Sequence, residues 1–167
     1  RENRLVRTLQ TTLPDLEHRV QGLLDDLDEL RREKETLETR LSLQAAEGLL
    51  ESRQRVNGVT VLATRATASN VDSLRNIGDW LRDKLGSGVV VLGSVLNDRP
   101  IMVAMVTPDL VAKGIDASVI VREAAKTIQG GGGGQPELAQ AGGRRADKLD
   151  EALSLVPDLV REKSAAS

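Results

Sequence analysis

Five consecutive glycines, residues 130–134, are followed at once by Gln135-Pro136-Glu137-Leu138-Ala139-Gln140-Ala141-Gly142-Gly143 and then by Arg144-Arg145. These residue types suit anion binding. Glycine has no Cβ, so its backbone can approach a ligand closely or take a positive φ. A run of bare amides can form a concave anion nest. Arginine grips phosphate bidentately, and a helix N-terminus beside it adds to the attraction. The glycines are read as a loop over 130–134. Gly131, Gly132, Gly133 and Gly134 then offer amides to phosphate, Gln135 and Gln140 reach ribose or base edges, and Arg144 and Arg145 supply charge. Lys126, just upstream, and Arg99, at the tip of a predicted hairpin, complete the candidate set.

No catalytic or metal centre is legible. His18 is the sole histidine and cysteine is absent, which excludes thiolate chemistry, disulfides and a Cys/His metal set. The glycine run is no P-loop, because no Lys-Ser or Lys-Thr follows it. It is no dinucleotide fingerprint either, because the element before it reads as helix. A binding surface remains. The formal net charge of −2 is not that of a strongly basic nucleic-acid binder. Residues 1–55 hold ten Lys/Arg against twelve Asp/Glu, and residues 56–167 hold thirteen of each. Any nucleic-acid contact must therefore come from a local patch. Phe and Tyr are absent and Trp80 is the only aromatic, so the chain cannot stack several unpaired bases. Trp80 reads as packing or interface. A folded RNA, read by shape and backbone, is the compatible target.

The elements that position these residues fall into two parts. Residues 1–55 read as a helical arm. Leu5, Val6 and Leu9 allow a short first helix, and Thr12-Leu13-Pro14-Asp15 marks a second start. Leu16, Leu23, Leu30 and Leu37 then fall on d of a heptad, and Val20, Leu27 and Leu41 on a, with Lys34 on the remaining a position. A helix over about 13–55 spans roughly 60 Å. So narrow a seam needs a partner: another copy, the short first helix, or an upstream segment. Beginning with Arg1 inside a helical pattern, the chain reads as a piece of a longer protein.

Residues 56–167 read as an α/β globular domain with a small mixed sheet covered by helices, making the whole an α+β chain. Val59–Ala63 and Val89–Leu92 are strands, and Asn97-Asp98-Arg99-Pro100 turns into a returning strand over 101–106. Helices are expected over 70–85, from Asp116 to about Ile128, and over 146–155, where Pro157 interrupts. No apolar run suits a membrane span, and the expected setting is a reducing cytoplasm.

The glycine block resembles the signature of the DHH-associated domain family, as found at the C-terminus of bacterial alanyl-tRNA synthetases (C-Ala). That pattern reads roughly Gly-Gly-basic-Gly-Gly-Gly-basic-Pro-x-x-Ala-Gln-Ala-Gly-Gly. Gly130, Gly132, Gly133, Gly134, Pro136, Ala139, Gln140, Ala141, Gly142 and Gly143 match it. Gly131 and Gln135 stand where the family often has basic residues, and Gln129 replaces the first glycine. The resemblance continues through residues 81–93 and 148–153. It implies a non-catalytic module that binds the outer corner of alanine-specific tRNA, supports aminoacylation and editing, and contributes to dimerisation in some members. ATP, alanine and zinc would belong to upstream parts of the parent ligase, so no cofactor is expected in this chain. Two other readings stand beside it: a substrate-holding domain of a DHH-type phosphoesterase, and a purely structural dimerisation module.

Overall fold

The computed structural model describes residues 4, 7 and 13–165. The expected first helix at Leu5, Val6 and Leu9 and the Thr12 cap lie outside the described residues. Helix α1 runs Leu13–Leu49 and passes into a 3₁₀ turn, Leu50–Ser52. It ends earlier than the sequence suggests, because Gln54–Val56 is already strand β1, antiparallel to β2 (Val59–Arg65). The link is Asn57-Gly58, with φ of 51° and 80°, the two-residue turn whose twist matches a hairpin.

The chain divides into compact units after Ser42, not after residue 55. The reason is burial. Ala46 is 2% exposed in the core of the second unit, and Leu49 and Leu50 pack beside it. In the first unit, Arg1–Ser42, the heptad face of α1 is open to solvent at Val20, Leu23, Leu27, Leu30, Leu37 and Leu41.

The second unit continues with helix α2 (Val71–Leu85), the hairpin β3 (Val89–Leu96) and β4 (Arg99–Val106), and a short helix α3 (Pro108–Ala112). Helix α4 (Ala117–Thr127), strands β5 (Gly131–Gly134) and β6 (Leu138–Gly142), a 3₁₀ turn, and helices α5 (Leu149–Ser154) and α6 (Val156–Ala165) complete it. Asn70 caps α2 by accepting from the Ser73 amide at 2.8 Å, and Asp116 caps α4 by accepting from the Ser118 amide at 2.8 Å. Pro157 starts α6 rather than breaking a helix. It sits in the first turn, where its missing N–H costs nothing.

The six strands form one mixed sheet in the order β1-β2-β3-β4-β6-β5. Only β2 and β3 are parallel. The continuous apolar strand over 89–92 is central and buried on both faces. Val61, Val89, Val91, Met102, Ala104, Ala139 and Ala141 face α4, α5 and α6. Leu62, Val90, Leu92, Val103 and Met105 face α2 and the last turns of α1. Trp80 is half-buried on α2 against this second layer, with the Lys84 ammonium 5.5 Å from its ring centre. It is a packing residue, as its sequence position suggests.

At the sheet end away from the β3–β4 turn, the Ser87 hydroxyl donates to the Asp109 carboxylate at 2.5 Å, and Thr107 also hydrogen-bonds it. These bonds, Ser87 first, favour the charged form and hold Asp109 below its ordinary 3.8. A depressed carboxylate contributes stability above its unfolded pKa and loses it as pH falls through the folded value. Ser87→Ala is expected to move the Asp109 titration upward in carboxyl-detected NMR. Its stability deficit should be present at neutral pH and vanish in acid. An unmoved titration refutes the assignment.

Candidate nucleic-acid interface

The glycine block is not a loop. Gly131–Gly134 is an edge strand, paired antiparallel to Leu138–Gly142 in the register Gly131↔Gly142 to Gly134↔Ala139. The turn Gln135–Leu138 closes both of its hydrogen bonds, at 2.8 and 3.2 Å. Two outside contacts pin it: the Ala117 amide donates to the Pro136 carbonyl at 2.9 Å, and the Val106 amide to the Glu137 carbonyl at 3.0 Å. Glycine is required for fit here. A Cβ on Gly132 would lie 2.3 Å from the Gln140 carbonyl oxygen and 2.5 Å from the Ala141 Cβ. On Gly131 or Gly133 a Cβ would meet open space. One face of the strand is thus pressed on β6 and the other is bare backbone.

Gly142 and Gly143, at the end of β6, lead into the arginine pair. The Arg144 and Arg145 amides both donate to the Ile128 carbonyl, at 2.9 and 3.0 Å. That carbonyl belongs to the end of α4, which Gln129 finishes in the left-handed region at φ 54°. The family pattern has glycine at this position, and the backbone shows why: a left-handed residue without a Cβ is unstrained.

From there the side chains diverge. Arg145 makes a bidentate pair with Asp147 at 2.9 and 2.7 Å. That hydrogen bond raises the arginine's pKa and holds the Asp147 carboxyl below its usual range. Arg144 makes no ion pair with a described residue. It lines an open cleft of about 940 Å³ with Arg99, Gly130, Gly142 and Gly143. Asn97, from the β3–β4 turn, and Ser69 and Asn70, ahead of α2, also line it. Arg99 likewise has no ion pair among the described residues. The lining carries two arginines and no carboxylate, so its field is positive.

The remaining candidates lie elsewhere. Lys126 is held by Glu123 at 3.0 Å on α4, which packs on the sheet face of Ala139 and Ala141. Gln140 points to the opposite face, where its Oε1 accepts from Arg75 Nη2 at 2.5 Å. Gln135 sits in the turn at the far end of the hairpin. The structure therefore joins Arg99, Arg144 and the glycines that flank them, separates Gln135 and Gln140 from that cleft, and engages Arg145 and Lys126 internally. Sequence reading missed Ser69, Asn70 and Asn97 as lining residues, and Arg75 as the partner of Gln140. Asn70 and Asn97 carry a cap and a turn signal, but neither signal says that two ends of the sheet layer meet. Among the described residues, no group of His, Cys, Asp or Glu could hold a metal, and no helix is long and apolar enough to cross a membrane.

Comparison with known proteins bears on the same region. The DHHA1 domain model matches residues 58–162. Alanine–tRNA ligase from Dehalococcoides mccartyi strain BAV1 is 44% identical over 152 residues, covering 91% of this chain and 18% of that protein. Alanine–tRNA ligase from Bacillus subtilis is 42% identical over 153 residues, covering 92% and 17%. The chain thus spans less than a fifth of the length of these relatives. Among solved structures, the C-Ala domain of Aquifex aeolicus alanyl-tRNA synthetase superposes with a TM-score of 0.59 at 31% identity, covering 65% of this chain and 97% of that one. The glycine hairpin and strands β2 to β6 lie within the matched residues, and this chain belongs to the DHHA1 domain family, alongside the C-Ala domain of alanyl-tRNA synthetase.

Proposed function

We propose that this chain is a non-catalytic tRNA-binding part of an alanine–tRNA ligase, and that the outer corner of the tRNA seats on the cleft between the α2 N-terminus and the glycine hairpin. The observation that carries this reading is the convergence of Arg99 and Arg144, distant in sequence, on one glycine-walled cleft without a carboxylate. Two guanidinium groups without an ion pair among the described residues can each take a phosphate bidentately. The glycines let an RNA backbone approach without steric cost. The curated relatives favour a ligase parent over a phosphoesterase. ATP, alanine and zinc then belong to other parts of the parent, which works in the cytoplasm. The seam from Leu16 to Leu41 pairs with a second copy and makes the parent a dimer. From Leu23 to Leu41 its leucines are exposed on α1, and such surface is rarely left uncovered.

The chain titrated with transcribed tRNA-Ala and with an isolated alanine acceptor-stem minihelix tests the reading. Preference for the full tRNA, weakening as salt rises, is expected. Equal binding to both RNAs, or to neither, overturns it.

A further inference from the structure

Helix α1 exposes a stripe of apolar side chains broader than an a/d seam. Val20, Leu23, Leu24, Leu27 and Leu30 are 41% to 61% exposed, although each is large and apolar. Leu24 falls on an e position, beside the seam rather than in it. The stripe is also widest in the first half of the helix. Charges flank it in a definite order. The e positions are Glu17, Leu24, Arg31 and Glu38, and the g positions are Arg19, Asp26, Glu33 and Arg40.

Each way of laying a second copy on this stripe brings different charges together. A parallel pair stacks Lys34 on Lys34 inside the seam and sets Glu33 against Glu38, with only Asp26–Arg31 attractive. An antiparallel pair that sets Val20 against Leu37 is worse. It opposes Arg19 to Arg40, Asp26 to Glu33 and Glu17 to Glu38, all like charges. Sliding that pair by one heptad sets Val20 against Leu30 and Leu23 against Leu27. The flanks then oppose Glu17 to Arg31 and Arg19 to Glu33, and each contact occurs twice by symmetry. Leu24 meets its own copy and is covered. Lys34 falls against Leu16, with its own Glu38 3.9 Å away to hold the ammonium. The one like-charge contact left is Asp26 with its copy.

We infer that α1 pairs with a second copy of this chain as an antiparallel coiled coil whose two-fold axis passes near residue 25, with Val20 opposite Leu30. This rests on the self-association reading above and adds the partner's direction and register. It also implies that Leu41 lies beyond the overlap and contributes little to pairing.

The chain has no cysteine, so introduced thiols report cleanly. Val20→Cys and Leu30→Cys proteins, mixed and oxidised, should cross-link to each other, and Val20→Cys alone should not. Two Val20 positions lie about 15 Å apart along the antiparallel axis, at about 1.5 Å per residue. Arg31→Glu should raise the dimer dissociation constant several-fold, and adding Glu17→Arg in the same chain should restore it. In a parallel pair Arg31 faces Asp26, and the second change would rescue nothing. Light scattering before oxidation separates the outcomes. A monomeric parent chain defeats the self-association reading itself. A dimer that cross-links through Val20→Cys alone, or through Val20→Cys with Leu37→Cys, keeps self-association and overturns this register.

Discussion

Replacing Arg99 and Arg144 together with alanine is expected to weaken tRNA binding by roughly 100-fold. A charge-assisted hydrogen bond contributes about 1.5–3 kcal/mol, and 1.4 kcal/mol is about tenfold in affinity. Two lost guanidinium–phosphate contacts therefore multiply to about two decades. Each also releases counterions, so the slope of log affinity against log salt should become shallower by about two. Thermal stability should not change, because both side chains are exposed and neither makes an ion pair with a described residue. Arg145→Ala and Lys126→Ala are the informative controls. Their charges are already engaged by Asp147 and Glu123, so each should cost less than about threefold, in line with the small net worth of exposed charges. Binding by the double variant equal to the parent's, or an equal loss in the Arg145 control, removes the cleft from the interface.

Gly132→Val is expected to destabilise the globular unit by about 2–4 kcal/mol, in the range of overpacked and backbone-clashing substitutions. The first added carbon would already stand 2.3 Å from the Gln140 carbonyl and 2.6 Å from the Ala141 Cα, and backbone does not rotate away as a side chain tip does. The edge strand must then leave β6, which also exposes the α4 face that it covers. Gly131→Ala, one residue away on the open face, should stay within about 0.5 kcal/mol. Urea melts of the two variants give the comparison, and amide exchange over Gly131–Gly142 locates the damage. Coincident melts would show that the face pressed on β6 does not require glycine. Gly131→Ala keeps the hairpin while placing a methyl group on its open face.

Much of the fold was legible in the chain. The apolar run at Val89–Leu92 read as a strand, buried on both faces if central, and Asp116 and the start at Asn70 marked helices that the structure shows capped by side chains accepting from nearby amides. The long helix was legible from its heptad. Its end was not, because Ala46 and Leu49 fall on f and b, away from the a/d seam, where the heptad gives no reason for burial. Only the sheet beneath them makes them core. Asn57-Gly58 carried a hairpin signal that points to β1, and the helical pattern before it masked that signal.

The glycine block divides the two kinds of information most clearly. Its residue types and order marked it as a place of close approach, and linked the chain to its family. That follows from sequence alone, because a missing Cβ is a property of the residue. Whether those glycines form a loop or a strand was decided by β6, which offers an unpaired edge and whose backbone lies too close to leave room for a Cβ at Gly132 or Gly134. The cleft was decided later still. Arg144 and Arg145 are neighbours of the same type, yet one lines the cleft with Arg99 and the other is folded onto Asp147. No local rule separates them. The difference arises because the β3–β4 turn, the start of α2 and the end of β6 meet at one side of the sheet, and that meeting is long-range packing.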